Sequence, residues 1–182
     1  KKSILFNRLT ENASWIEQQF SAAFKPLSEK LRNNLTIFSK DSRLVSLPFK
    51  VKEPKVRYDL EASMLQMINE ERKKAGLRTL KADPAMAIVA RKHSVDMFKR
   101  GYFSHYTPEG KSPFDRIRRE GLVFLTAGEN LALAPNLREA HRGLMNSPGH
   151  KANILHKAFG RVGIGIVDGG IYGIMVTQNF RN

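Results

Sequence analysis

Near the C-terminus Val162, Ile164 and Ile166 alternate with Gly163 and Gly165. A period of two is the signature of a strand. Glycine at every other place leaves one face of that strand without side chains, so a helix can lie close against it. The branched aliphatics must then be buried on the opposite face. Asp168-Gly169-Gly170 follows as a tight-turn signal, and Tyr172, Ile174, Val176 and Phe180 resume the same period. The pattern predicts a C-terminal hairpin. A few antiparallel strands with helices on both faces would bury it.

The helices to cover such a sheet are punctuated upstream. Asp59 is placed to cap a helix carrying Leu60, Met64, Met67, Ile68 and Glu71, closed by Lys73, Lys74 and Gly76. Asp83-Pro84 opens a second, with Met86, Val89, Ala90, His93 and Met97 inward and Lys99, Arg100 and Gly101 at its end. Ser112-Pro113 starts a short third that stops at Gly121. Asn136 with Glu139 forms a capping-box pattern for a fourth, and Ser147-Pro148 opens a brief fifth. Leu122–Thr126 reads as a short buried strand. His93 is expected as a satisfied core histidine, the methionines as core, and His141 and His156 as surface residues.

The first third of the chain differs in character. Residues 1–57 hold 12 basic and 5 acidic side chains, a net of +7; the remaining residues hold 19 and 12, again +7 over twice the length. Leu9, Ala13, Ile16, Phe20, Ala23, Leu27 and Leu31 make a helical stripe, which Pro26 should kink. The stripe suits either an appendage packed on its own domain or a neighbouring subunit, or a basic helix lying on a membrane surface. Residues 39–57, with Pro48 and Pro54 and no sustained period, read as a linker. The expected division is therefore 1–57, a basic amphipathic helical segment and linker, and 58–182, a globular domain. No apolar run approaches the ~18 residues of a membrane span, and no signal-peptide block is present. The abrupt start at Lys1-Lys2 is that expected of a piece cut from a longer chain. With no cysteine, disulfides and thiolate metal sites are excluded. The formal charge of +14 favours anionic partners.

Three strings set ionisable side chains at element ends, where a scaffold can present them to a cleft. They are Gly101-Tyr102-Phe103-Ser104-His105, Gly128-Glu129-Asn130-Leu131, and Ser147-Pro148-Gly149-His150 running on to Asn153-Ile154-Leu155. With Ser147 as N-cap, His150 falls in the first helical turn, where the helix dipole disfavours imidazolium. A neutral imidazole can bind a metal or accept a proton. His105, Glu129 and His150 together would form a mixed nitrogen and oxygen site suited to a divalent metal, zinc above all. Without metal, Glu129 could serve as general base and a histidine as acid. The plainer alternative is that Glu129 holds its loop by accepting backbone bonds. Ser104 adjoins His105, but sequence neighbours do not establish a dyad.

In order and spacing the strings resemble the CAP superfamily of cysteine-rich secretory, antigen 5 and pathogenesis-related proteins, most closely its cysteine-free bacterial branch. The resemblance runs from about Leu60 to Phe180. It includes Asn69-Glu70-Glu71-Arg72, Ala90 to Met97, Val162-Gly163-Ile164-Gly165 and Thr177-Gln178-Asn179-Phe180. It implies an α+β fold, an α-β-α sandwich with a small mostly antiparallel sheet between helices, here with an N-terminal helical appendage. It also implies an extracytoplasmic place, secreted or membrane-associated. Of the two His and two Glu in the eukaryotic cleft, His105 and Glu129 match the first of each. Ser147 and Met175 stand at the other two positions, and Leu144 where the family usually has Trp. Ser104, Asn130, Ser147, Asn153 and Gln178 are expected to line the cleft.

Two functional readings compete. One is a binding module for an anionic envelope component, a lipid or a protein, with membrane contact through residues 1–57. The other is a metal-assisted hydrolase, such as a peptidase, using His105, Glu129 and His150. Nucleic acid is the least expected partner, since no recognition motif accompanies the charge.

Overall fold

The computed structural model describes residues 44–182. The amphipathic stripe from Leu9 to Leu31, with its packing and membrane readings, lies outside the described residues. Five α-helices are present among those described: α1 (Tyr58–Lys74), α2 (Pro84–Arg100), α3 (Pro113–Arg119), α4 (Leu137–Asn146) and α5 (Pro148–Ile154). The strands are β1 (Val45–Ser46), β2 (Lys55–Val56), β3 (Lys81–Ala82), β4 (Tyr102–Phe103), β5 (Ala127–Ala134), β6 (Arg161–Asp168) and β7 (Ile174–Arg181). In the main sheet β6 is flanked by β2 and β3 on one edge and by β7 on the other, with β5 beyond β7. Only the β3–β6 pairing is parallel. The expected α-β-α sandwich is the observed one.

The glycine-bearing face of β6 meets α2. A Cβ on Gly163 would stand 2.2 Å from the backbone carbon of Met86, and one on Gly165 2.2 Å from the backbone nitrogen of Arg91. Glycine is therefore the condition for α2 lying on the sheet. Ser94 uses this closeness, its hydroxyl meeting the Gly165 carbonyl at 3.0 Å and the Thr177 hydroxyl at 2.8 Å. On the opposite face Val162, Ile164, Ile166, Val176 and Phe180 pack with Met64 and Ile68 of α1, Leu144 of α4 and Ile154 of α5.

Two residues of the Asn69-Glu70-Glu71-Arg72 string are polar staples. Asn69 exchanges two hydrogen bonds with the Leu80 backbone, at 2.7 and 3.0 Å, as a strand neighbour would. The Arg72 guanidinium is fully buried and donates to the carbonyls of Arg78 (2.8 Å), Ile154 (2.8 Å), His156 (3.0 Å) and Phe159 (3.4 Å). It thereby ties the loops after α1 and α5 together.

Caps at Asp83 and Ser112 form as expected. The Asp83 carboxylate accepts from the Met86 amide at 3.2 Å, and Ser112 and Asp115 make a reciprocal capping box. Four expectations are corrected. Asp59 does not cap α1: the helix starts at Tyr58 with Arg57 at the N-cap place, two residues too early for Asp59 to precede it, and the Arg57 amide donates to the Ile166 carbonyl, continuing the β2 ladder. Residues 44–57 do not hang as a linker. β1 pairs with β4, β2 pairs with β6, Val45 and Leu47 are buried, and Phe49 stacks on Tyr172 at 4.1 Å. Leu122–Thr126 is not a strand; the edge strand begins just after it, because only from Ala127 do backbone groups find β7 partners. His141 is buried against α1, where two apolar neighbours, Ala140 and Leu144, turn that side of α4 inward. His156 is exposed, as expected.

Candidate functional site

β5 presents alternate side chains to opposite faces of the sheet. Glu129 therefore points one way, toward α2 and α3, and Asn130 the other, toward α5. The glutamate is on the strand rather than after it.

The Glu129 side chain is fully buried. His105 Nδ1 donates to its Oε1 at 2.9 Å, and Arg116 Nη2 donates to its Oε2 at 2.6 Å. Arg116 Nη1 also donates to the His105 carbonyl at 2.7 Å and to that of Lys111 at 3.2 Å. One guanidinium thus fixes both the carboxylate and the loop that carries its histidine partner. Burial by itself pushes the Glu129 carboxyl up, but the Arg116 charge and the His105 hydrogen bond outweigh it and hold the pKa at about 2. Close by, His93 Nε2 donates to the Ser104 carbonyl at 2.9 Å. Burial, with the Arg116 charge added, lowers the His93 pKa to about 3, so this core imidazole is neutral. Its Nδ1 has no partner among the described residues.

On the other face Asn130, Asn153 and Gln178 form an amide network. Asn130 Nδ2 donates to the Gln178 Oε1 at 3.0 Å and to the His150 carbonyl at 3.1 Å. Asn153 Nδ2 donates to Asn130 Oδ1 at 2.9 Å. The network pins the start of α5 to the sheet. His150 is buried there, its pKa lowered to about 4 first by burial and then by the field of His105. It makes no hydrogen bond to Glu129, and its Nδ1 has no partner among the described residues.

The sequence-predicted set is thus only partly assembled. His105 and Glu129 meet; His150 feels the field of His105 but makes no bond to the carboxylate. The Ser104 hydroxyl accepts from the Tyr106 amide at 3.1 Å rather than engaging His105, which leaves no dyad. Ser147 is half-buried at the junction of α4 and α5 and caps with no side-chain bond. Among the described residues no group of three His, Cys, Asp or Glu is arranged to hold a metal ion. The donor chemistry agrees, since a guanidinium at 2.6 Å occupies one Glu129 oxygen and repels any cation brought to the other. These residues do not fit zinc.

Sequence reasoning missed Arg116. Its signal was available: the Ser112-Pro113 start sets the helical phase, and Arg116 then falls beside Pro113 and Ile117 on the buried side of α3. A cleft of about 600 Å³ opens between α2, α3 and the 107–111 loop, over His93 and Arg116, with Lys92, Asp96, Lys111 and Glu120 in its wall. None of the five residues expected to line the cleft borders this one.

The sequence and fold have clear relatives. The model of the cysteine-rich secretory protein (CAP) family matches residues 65–180. YkwD of Bacillus subtilis is 39% identical over 111 residues, which is 60% of this chain and 43% of the relative. YlbC of the same organism, named as a membrane protein, is 36% identical over 127 residues, 69% of this chain and 35% of the relative. The crystal structure of an SCP-domain extracellular protein from Bacillus anthracis superposes with a TM-score of 0.62 at 34% identity, covering 68% of this chain and 40% of that one. The chain spans less than half the length of these relatives. It belongs to the CAP family, and with no cysteine and bacterial neighbours it stands with the family's cysteine-free bacterial members.

Proposed function

We propose that this CAP domain is an extracytoplasmic binding module that docks on an anionic component of a cell envelope, with His105, Glu129 and Arg116 as its internal brace. The state of Glu129 carries the reading. A carboxylate with both oxygens engaged and a pKa of about 2 has little capacity to take a proton near neutral pH. Metal-assisted hydrolysis through His105, Glu129 and His150 would require Arg116 to leave first.

Two further facts support the docking side. The chain carries a formal charge of +14, and relatives are named as an extracellular and a membrane protein. No helix among the described residues is long and apolar enough to cross a membrane, so an envelope location calls for surface attachment or an anchor elsewhere.

The test is sedimentation of the full chain with isolated bacterial envelopes across a salt series, beside zinc calorimetry. Binding that weakens as salt rises, with no zinc uptake at micromolar levels, is expected. Absence of envelope binding, or binding indifferent to salt, overturns the docking role. Stoichiometric zinc uptake lost in His105→Ala/His150→Ala would restore the hydrolase.

A further inference from the structure

The segment joining α3 to β5 carries two of the most exposed large aliphatic side chains described, Val123 at 82% and Leu125 at 90%. Between and before them, Phe124 and Leu122 face inward on a small core of Met86, Val89 and Ile117. Phe124 stacks on Phe114 with centroids 5.6 Å apart, and the Arg118 guanidinium lies 5.4 Å from its ring centre. The segment is braced rather than loose. Arg181 Nη1 donates to the Val123 carbonyl at 2.9 Å, and the amides of Leu125 and Thr126 donate to Asn182 Oδ1 at 2.9 and 3.1 Å. Bracing at the backbone holds Val123 and Leu125 outward in place of letting them collapse.

The same end of the sandwich is basic. β5 and β6 begin there and β7 ends there, with Lys81, Arg161 and Arg181 in register across adjacent strands. These positions lie within roughly 15 Å of the segment, at ~4.8 Å per strand. Arg118 and Arg119 on the last turn of α3 are exposed, as are Arg161 and Lys81. Among the described residues none of these four makes an ion pair. Of the acids near them, Asp83 pairs with Arg181, Glu120 pairs with Lys92, and Asp115, which feels the Arg118 charge, is held in the Ser112 capping box.

We propose that Val123 and Leu125 are a membrane-docking tip, inserting shallowly into an anionic bilayer while Arg118, Arg119, Arg161 and Lys81 meet lipid phosphates. The inference rests on the anionic-envelope reading above and narrows it to lipid. Two outward aliphatic tips on a braced segment suit a fluid interface, which can close around them. Cations without an ion pair beside exposed apolar tips are the combination that anionic bilayers retain.

The full chain is sedimented with phosphatidylglycerol vesicles and with phosphatidylcholine vesicles, beside Val123→Ser/Leu125→Ser and Arg118→Gln/Arg119→Gln. Because Val123 and Leu125 are exposed, the double serine variant should keep the wild-type thermal midpoint, and the arginine variant should lie close to it, losing only the Arg118 contact with the Phe124 ring. Loss of the two aliphatics should weaken partition into anionic vesicles about tenfold or more, and each lost charge about fivefold. The chain has no cysteine, so Leu125→Cys can be labelled uniquely with a polarity-sensitive dye. Ile171→Cys, 70% exposed at the far end of the β6–β7 hairpin, is the control. A blue shift at residue 125 and none at 171 supports the tip. Wild-type pelleting by the double serine variant, or equal shifts at both positions, overturns it and leaves the envelope reading standing. Wild-type binding to envelopes but not to anionic vesicles overturns the lipid assignment alone, and failure on both removes the two together.

Discussion

Replacing Arg116 by Met tests the brace most directly. The guanidinium stands 2.6 Å from a carboxylate that is fully buried, so the variant leaves Glu129 with His105 as its one side-chain partner of the two. Removing one member of a buried ion pair costs about 3–5 kcal/mol. The Glu129 titration gives a similar size. A pKa lowered from 4.5 to about 2 corresponds to ~3 kcal/mol of linked stability. The sign follows from the depressed value. In the wild type this stability is present above the unfolded pKa, near 4.5, and is lost as pH falls toward 2. In Arg116→Met burial dominates, the Glu129 pKa rises above the ordinary range, and the folded state prefers the protonated acid. Urea unfolding should therefore show a gap of about 3–5 kcal/mol between wild type and variant at pH 7. The gap should narrow by about pH 4, where the variant carboxyl is neutral and the wild-type pair is still intact. Adding Glu129→Gln to Arg116→Met should recover part of the loss at pH 7, because no buried charge then remains. A gap below about 1 kcal/mol at pH 7, or one that stays constant down to pH 4, would refute the electrostatic argument.

Gly165→Ala sets a methyl 2.2 Å from the Arg91 backbone nitrogen, so α2 must retreat from the sheet and break the Ser94 bonds; a loss of about 1–3 kcal/mol or more is expected in thermal unfolding, and an unchanged midpoint would contradict the packing. Arg72→Lys should destabilise strongly, since an ammonium lacks the planar fork that reaches four carbonyls; urea titration showing wild-type stability would count against the staple. His93 and His150 have folded pKa values lowered to about 3 and about 4, so their neutral forms stabilise the fold above pH ~6.5 and that stability is lost as pH falls below it. Acid unfolding of His150→Gln should accordingly be shifted to lower pH than that of wild type, and a coincident acid transition would show that the imidazole is not linked to folding.

Local periodicity and punctuation carried most of the fold. The alternation of Gly163 and Gly165 with aliphatics specified a strand with one bare face, and the sandwich follows because a bare face and an apolar face need different covers. Asp83-Pro84 and Ser112-Pro113 marked helix starts because caps and prolines act within one turn. What failed depended on partners far along the chain. Leu122–Thr126 has the composition of a strand, but no neighbouring edge is left for its backbone, and its alternation became a braced tip instead. Residues 44–57 have no period because β1 and β2 are two residues each, too short to show one, and their order comes from β4 and β6.

The site divides in the same way. His105 and Glu129 were legible because each belongs to a short string at a marked place in the chain. Arg116 was not, since an arginine on a helix of several arginines becomes a buried anchor only when Ile117 and Pro113 turn that face inward. Its charge then decides the chemistry of Glu129, turning a carboxylate that the sequence alone offered as base or ligand into a committed ion-pair partner. The sequence by itself determined which side chains stand near one another along the strand and helix starts. Only the tertiary structure decided their charge and availability, because protonation and coordination depend on distances of a few ångströms between elements that the chain connects only through folding.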